Sequence, residues 1–198
     1  MENIVQLDQK EFLERYEKNV NCRLKNETGL AGLIIDMQEK FLSEIDETGK
    51  WNMIDAQKKI ITRLSEKNAP IIILEYRGYG GTIEELIQEI DFASNGISLI
   101  KGDNDGFRGT KLHSILKRNH SHHLILMGVN ATFCVKETAI GALIRKYQIY
   151  TARELIAGKK KYDGIKMNQK IRRWYSDKGE FFPREEQLWK FIEKEIIK

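Results

Sequence analysis

The sequence predicts an α/β protein in three layers, a parallel β-sheet with helices on both faces. Five short apolar runs recur along the chain, helical patterns fill the gaps between them, and the 198-residue length suits one domain. The runs cover Leu30 to Asp36, Pro70 to Tyr76, Ile97 to Lys101, His123 to Val129 and Gln148 to Ala152. Within them, stretches such as IIIL and LILM are continuous rather than alternating in apolar character, the mark of strands covered on both faces. Parallel pairing follows, because strands joined by helical crossovers run the same way.

Taken in order, residues 1–28 read as an amphipathic leading helix carrying Phe12, Leu13 and Tyr16. The first crossover helix is expected over Asn52 to Lys67, with Ile54, Ile60, Ile61 and Leu64 on its inner face. After the second strand, Gly78, Gly80 and Gly81 mark a turn, and Thr82 with Glu85 offers a capping box for a helix over Ile83 to Phe92. Further helices are expected over Lys111 to Arg118 and Val135 to Lys146. Residues 158–198 read as a basic helical part whose final stripe is Leu188, Phe191, Ile192 and Ile196. No repeat or linker divides the chain, so the expectation is a single domain over 1–198.

Composition narrows the function classes. With 33 basic and 29 acidic residues the net charge is only +4, which supplies no argument for nucleic-acid binding. The excess is local: Lys159, Lys160, Lys161, Lys166, Lys170, Arg172 and Arg173 stand against Asp163 alone, as a solvated face or an anion or partner contact. The N-terminal residues carry charges where a secretion signal needs an apolar stretch, and no run is long enough to span a bilayer. Cys22 and Cys134 show neither disulfide-scaffold nor zinc-site spacing, which points to a reducing space, and a cytoplasmic location is expected. His113, His120, His122 and His123 read as surface residues before the fourth strand.

Parallel sheets bind ligands beyond the carboxyl ends of their strands, and three polar residues stand there. Asp36 closes the first run, Lys101 closes the third, and Cys134 follows the fourth after the turn GVNATF. A thiol at the start of a helix, here with Thr132 as a candidate cap, is favoured as thiolate by the helix dipole and by a nearby lysine. Asp36 is then a proton carrier, and backbone N–H groups of the turn can hold an oxyanion. Taken singly, a buried cysteine at such a junction is as well explained by packing, and an aspartate after a strand by capping.

The segments AGLIIDMQEKF (31–41), IKGDNDGFRGTKL (100–112) and GVNATFCVKETAIGAL (128–143) resemble, in this order, the signature segments of the isochorismatase-like cysteine hydrolases. The resemblance implies a parallel Rossmann-like sheet with Asp36, Lys101 and Cys134 as the catalytic set. It also implies a cis peptide between Val129 and Asn130, and an oxyanion hole made by the N–H groups of Asn130 and Cys134. Gln38 and Phe41 match the family pattern beside the aspartate, and Phe107 matches an aromatic of the pocket wall, although ordinary core packing explains both aromatics equally well. Tyr76 and Arg77 follow the second strand as further substrate-binding candidates. Nicotinamidases of this superfamily carry an Asp-x-His metal element where this chain has Glu75, Tyr76 and Arg77, so no metal and no cofactor is expected. Asn130, Ala131 and Thr132 depart from the usual composition of the turn.

The resemblance therefore implies a cysteine hydrolase that cleaves a C–N bond of a small amide, ureido or carbamoyl substrate through a thioester. The alternative is a catalytically silent member that uses the fold as a binding or assembly module. Expected partners are a small-molecule substrate and further copies of the chain, as a dimer or tetramer, with neither nucleic acid nor membrane.

Overall fold

The computed structural model describes residues 25–90, 94–158 and 165–197, the side chains of 165–168 excepted. Strands β1 (Leu30–Ile35), β2 (Ile71–Tyr76), β3 (Gly96–Lys101), β4 (His123–Val129) and β5 (Gln148–Ala152) fall on the five predicted runs. Two short strands join them, β6 (Ile156–Ala157) and β7 (Glu180–Phe182), and all pairings are parallel. The order is β3-β2-β1-β4-β5-β7, with β6 paired to the end of β4. From β1 the chain winds outward through β2 and β3, then returns beside β1 as β4 and winds the other way. The switch point of the sheet therefore lies between β1 and β4, where the diverging connections leave a crevice.

All six residues of β1 are buried, as expected for a central strand with helices on both faces. Burial of each Leu or Ile there is worth about 1.5–3 kcal/mol. At the switch point β1 and β4 approach closely. Gly128 pairs with Ile35 and has φ +124°, and a Cβ at Gly128 would run into the Ile35 backbone, so only glycine fits.

The helices are α1 (Glu39–Leu42), α2 (Glu47–Glu66), α3 (Glu84–Ile87), α4 (Leu112–Arg118), α5 (Cys134–Ile144), α6 (Ile165–Lys178) and α7 (Glu185–Glu195). The long helix α2 begins five residues before the expected Asn52 because the Asp46 carboxylate accepts the Gly49 N–H at 2.8 Å. The expected capping box at Thr82 does not form. Thr82 Oγ1 is buried without a hydrogen-bond partner, and α3 is a single turn rather than a helix over Ile83 to Phe92. Instead, the Thr82 N–H donates to Glu75 Oε1 at 2.6 Å, so the turn after β2 is tied to the sheet and not to the helix.

The C-terminal part corrects the all-helical expectation, since β7 lies between α6 and α7 and extends the sheet beside β5. EFF is too short and too exposed to show a strand period. The predicted stripe holds: Leu188 and Ile192 are fully buried on α7. Lys170, Arg172 and Arg173 are exposed on α6. Lys159, Lys160, Lys161, Asp163 and Phe92 lie outside the described residues, as do Cys22 and the predicted leading helix up to residue 24. Residues 25–28 are not helical and lead directly into β1. Among the described residues no helix is long and apolar enough to cross a membrane.

Candidate active site

Asp36, Lys101 and Cys134 come from three strand ends that the parallel sheet delivers to one edge. Asp36 follows β1 with φ +52°, a left-handed conformation that costs a non-glycine residue about 1–2 kcal/mol and ends the strand abruptly. Its carboxylate is 1% exposed and Lys101 is fully buried. Lys101 Nζ donates to Asp36 Oδ2 at 2.8 Å and to the Asp103 carbonyl at 3.1 Å, and it lies 4.4 Å from the centre of the Tyr76 ring. A buried ammonium needs such a full set of partners, because an unpaired charge away from water is costly.

Cys134 opens α5 and is 7% exposed. Its thiol donates to Asn104 Oδ1 at 3.3 Å, and the charges of Asp36 and Lys101 both act on it. Asp36 Oδ1 is left buried without a hydrogen-bond partner, an acceptor in reserve. The electrostatics correct the expectation of a thiolate near neutrality. Burial, reinforced by the negative charge of Asp36 and opposed by Lys101, pushes the Cys134 thiol up to about 12. Burial also raises Asp36 above the usual carboxylate range, against the pull of Lys101. The resting sulfur is therefore a neutral thiol beside a carboxylate of strengthened basicity.

The turn from Asn130 to Phe133 frames the sulfur, and the Val129–Asn130 peptide is cis, as the resemblance implies. The N–H of Ala131 donates to Ala157 O at 2.8 Å, that of Phe133 to Asn130 O at 3.0 Å and that of Val135 to Asn130 O at 3.1 Å. The N–H groups of Asn130 and Cys134 have no backbone partner among the described residues, which leaves both as donors. Thr132 does not cap α5; its hydroxyl, like Asn130 Oδ1, is buried without a partner. Buried polar atoms are rarely left so, and a bound molecule can supply what they lack.

The five substrate-binding candidates divide. Phe41 and Tyr76 reach the site, with ring centroids 6.2 Å apart, and Tyr79 stacks on Phe41 at 4.8 Å to complete an aromatic wall. Gln38 is fully buried and holds the turn after β2, donating to the carbonyls of Tyr76 and Gly80 and accepting the Tyr76 N–H at 2.8 Å. It is scaffold rather than a substrate contact. Arg77 contributes only its backbone N–H, to Lys101 O at 3.0 Å, and its side chain is exposed. Phe107 packs on Tyr147 at 5.8 Å and under Arg145 at 4.7 Å. Those partners follow the far end of α5, and Phe107 is 5% exposed, so its ring packs in the core.

Asn104 and Tyr79 were not legible as site residues. Asn104 sits among the acidic and glycine residues after Lys101, and Tyr79 lies between two glycines with φ near +80°. An aromatic ring in an otherwise side-chain-poor loop is the one signal that pointed to Tyr79. Two histidines also differ from expectation: His113 and His123 are half-buried, with Nδ1 atoms 2.9 Å and 3.0 Å from the hydroxyls of Tyr147 and Tyr150, while His120 and His122 are exposed.

Glu75 and Arg77 stand where the resemblance compares this chain with the nicotinamidase metal element. The Glu75 carboxylate already accepts the Thr82 N–H at 2.6 Å, and Arg77 places a cation two residues on. A groove of about 560 Å³ lies away from the sulfur. It lies behind the turn, between the start of α2 and α6, and shares Ala131 with the site but is lined by none of Asp36, Lys101 or Cys134.

Residues 31–169 match the model of the isochorismatase domain. Solved structures of similar fold include a nicotinamidase from Staphylococcus aureus, 23% identical with TM-score 0.67, covering 78% of this chain and 99% of that one. An N-carbamoylsarcosine amidase from Thermoplasma acidophilum is 21% identical with TM-score 0.65, over 79% of this chain and 96% of that one. A ribonuclease from Caenorhabditis elegans is 20% identical with TM-score 0.70, over 87% and 92%. No curated protein matches in sequence. Three unlike activities on one frame mean that the substrate has to be read from the site and not from the fold.

Proposed function

The chain belongs to the isochorismatase family, and from that premise we propose that it is a cysteine-dependent hydrolase cleaving a C–N bond of a small amide, ureido or carbamoyl compound. The observation that carries this reading is the buried Lys101–Asp36 pair, 2.8 Å long, set against the thiol of Cys134 at the sheet's switch point. The charge of Asp36 acts on the thiol, which supports pairing them as base and nucleophile, the arrangement that thiol catalysis needs first.

Because the thiol is neutral at rest, attack and deprotonation go together. Asp36 takes the Sγ proton as the sulfur adds to the carbonyl carbon, and the charge that develops on the carbonyl oxygen meets the N–H groups of Asn130 and Cys134. Asp36 then gives its proton to the departing nitrogen, which leaves as ammonia or an amine, and a thioester remains on Cys134. Water, deprotonated by Asp36, adds to the thioester; the thiolate leaves and recovers the proton. Lys101 favours the anionic form of Asp36 between proton transfers and holds its carboxyl group in place through both halves. The wall of Phe41, Tyr76 and Tyr79 suits a planar substrate, whose amide or ureide plane stacks on the rings.

Ammonia release from a panel of small amides and ureides tests the reading. At least one compound is expected to be turned over, with an acyl adduct on Cys134 detected by mass spectrometry, and Cys134→Ala is expected to release nothing above background. Ammonia release that persists in Cys134→Ala would overturn it.

A further inference from the structure

The matched family domain ends at residue 169, yet the turn that carries the oxyanion donors is held from beyond it. Tyr175, on α6, is 1% exposed, and its hydroxyl donates to the Ala131 carbonyl at 3.0 Å. The N–H of the same residue, Ala131, is bound to Ala157 O at 2.8 Å. Both peptide planes that flank Ala131 are thereby fixed, one by the short strand β6 and one by the C-terminal segment.

We propose that Tyr175 is a positioning residue for catalysis, its hydroxyl bond to Ala131 fixing the turn so that the Asn130 and Cys134 N–H groups meet the developing oxyanion. The inference rests on the thiol-hydrolase reading above and makes residues 170–182 part of the working site.

Three observations support it. First, Ala131 is 4% exposed yet borders a groove of about 560 Å³, so on the groove side its two backbone hydrogen bonds add to the packing that holds it. Second, Tyr175 is held firmly: its ring meets Trp174 edge-on at 4.9 Å and stacks on Phe181 at 6.2 Å. Its carbonyl accepts the Gly179 N–H at 2.8 Å, and the chain then enters β7, whose Phe181 pairs with Thr151 of β5. Third, burial raises the phenol far above its ordinary value, so it remains a donor across the working pH range. An oxyanion hole acts through donors already in place, and a small displacement of a backbone N–H is felt directly in the rate.

The test separates this inference from the reading beneath it. Propionaldehyde adds to a thiol as a hemithioacetal: a C–S bond forms, the carbonyl π bond opens and the thiol proton passes to oxygen, placing that oxygen in the hole without a cognate amide. Protection of Cys134 from iodoacetamide reports the addition, whereas displacement of iodide by sulfur forms no oxyanion. In the full-length protein, Tyr175→Phe is expected to weaken propionaldehyde protection about tenfold, with the iodoacetamide rate in its absence within about twofold of wild type. On whichever amide is turned over, kcat should fall about tenfold with KM little changed. Tyr150→Phe, which removes a buried hydroxyl bound to His123 away from the turn, serves as the control and should leave protection unchanged.

Equal protection of Tyr175→Phe and wild type would overturn the inference alone. So would a loss shared by Tyr150→Phe in proportion to lowered melting temperature, which would mark a merely structural role. A wild-type protein that gains no protection from the aldehyde would overturn the thiol-hydrolase reading, and this inference with it.

Discussion

Two turns leave the same edge of the sheet, one after β2 and one after β4, and they treat their polar groups in opposite ways. After β2, Gln38 bonds Tyr76 and Gly80, Glu75 bonds Thr82, and the Ile83 N–H reaches Met37 O at 2.9 Å. These bonds tie the turn to the ends of β1 and β2, although Thr82 Oγ1 has no partner among the described residues, and the turn carries Tyr76 and Tyr79. After β4, the N–H groups of Asn130 and Cys134 are left open and the side chains of Asn130 and Thr132 end in unpartnered oxygens. Since buried polar groups are normally satisfied, the turn tied down by several bonds reads as scaffold, and the one with open N–H groups beside the sulfur reads as a place for a ligand.

The largest effect that would break the comparison lies on the β4 side. Asp36→Asn should lower turnover about 10²–10⁴-fold, the usual contribution of a general base. The same change should speed alkylation of Cys134, because it removes a negative charge that raises the thiol and leaves Lys101 facing the sulfur. In the wild-type protein the iodoacetamide rate should climb up to about pH 11 without a plateau near neutrality, as follows from a thiol pushed to about 12. Slower alkylation in Asp36→Asn would mean that loss of the carboxylate as a base outweighs loss of the charge that raises the thiol.

Lys101→Ala should cost about 3–5 kcal/mol in urea unfolding, since it strands a buried carboxylate whose pair was 0% and 1% exposed. A cost under about 1 kcal/mol would show that the pair is open to water. The smallest effect belongs to the other turn. Gln38→Ala removes three hydrogen bonds to backbone groups and should destabilise by about 1–3 kcal/mol, with Cys134 alkylation within about twofold of wild type. Equal damage to both readouts would join the two turns into one unit.

Much of the framework was legible because it rests on burial. Runs such as IIIL and LILM are apolar on both faces wherever they pack, so β1 to β5 emerged close to their true bounds. Parallel strands deliver their carboxyl ends to one edge, which made Asp36, Lys101 and Cys134 visible as a set. β7 and β6 were not legible, since strands of three and two residues exist only through the neighbours they pair with. Gln38 was misplaced, and Phe107 left open between pocket wall and core, for a related reason. A motif says that a residue stays near the signature, but not which way the loop turns it, and here one side chain enters the core and the other binds backbone.

The amino-acid sequence by itself determined the parallel sheet, its edge and the three residues brought there, because hydrophobic period and strand order act locally or through simple topology. Only the tertiary structure decided how those residues behave. The charge state of Cys134 depends on how deeply three separate segments bury it and on which charge stands nearest. The firmness of its turn depends on Tyr175, 44 positions away along the chain. Both are sums over contacts between segments remote in sequence, and no local pattern encodes them.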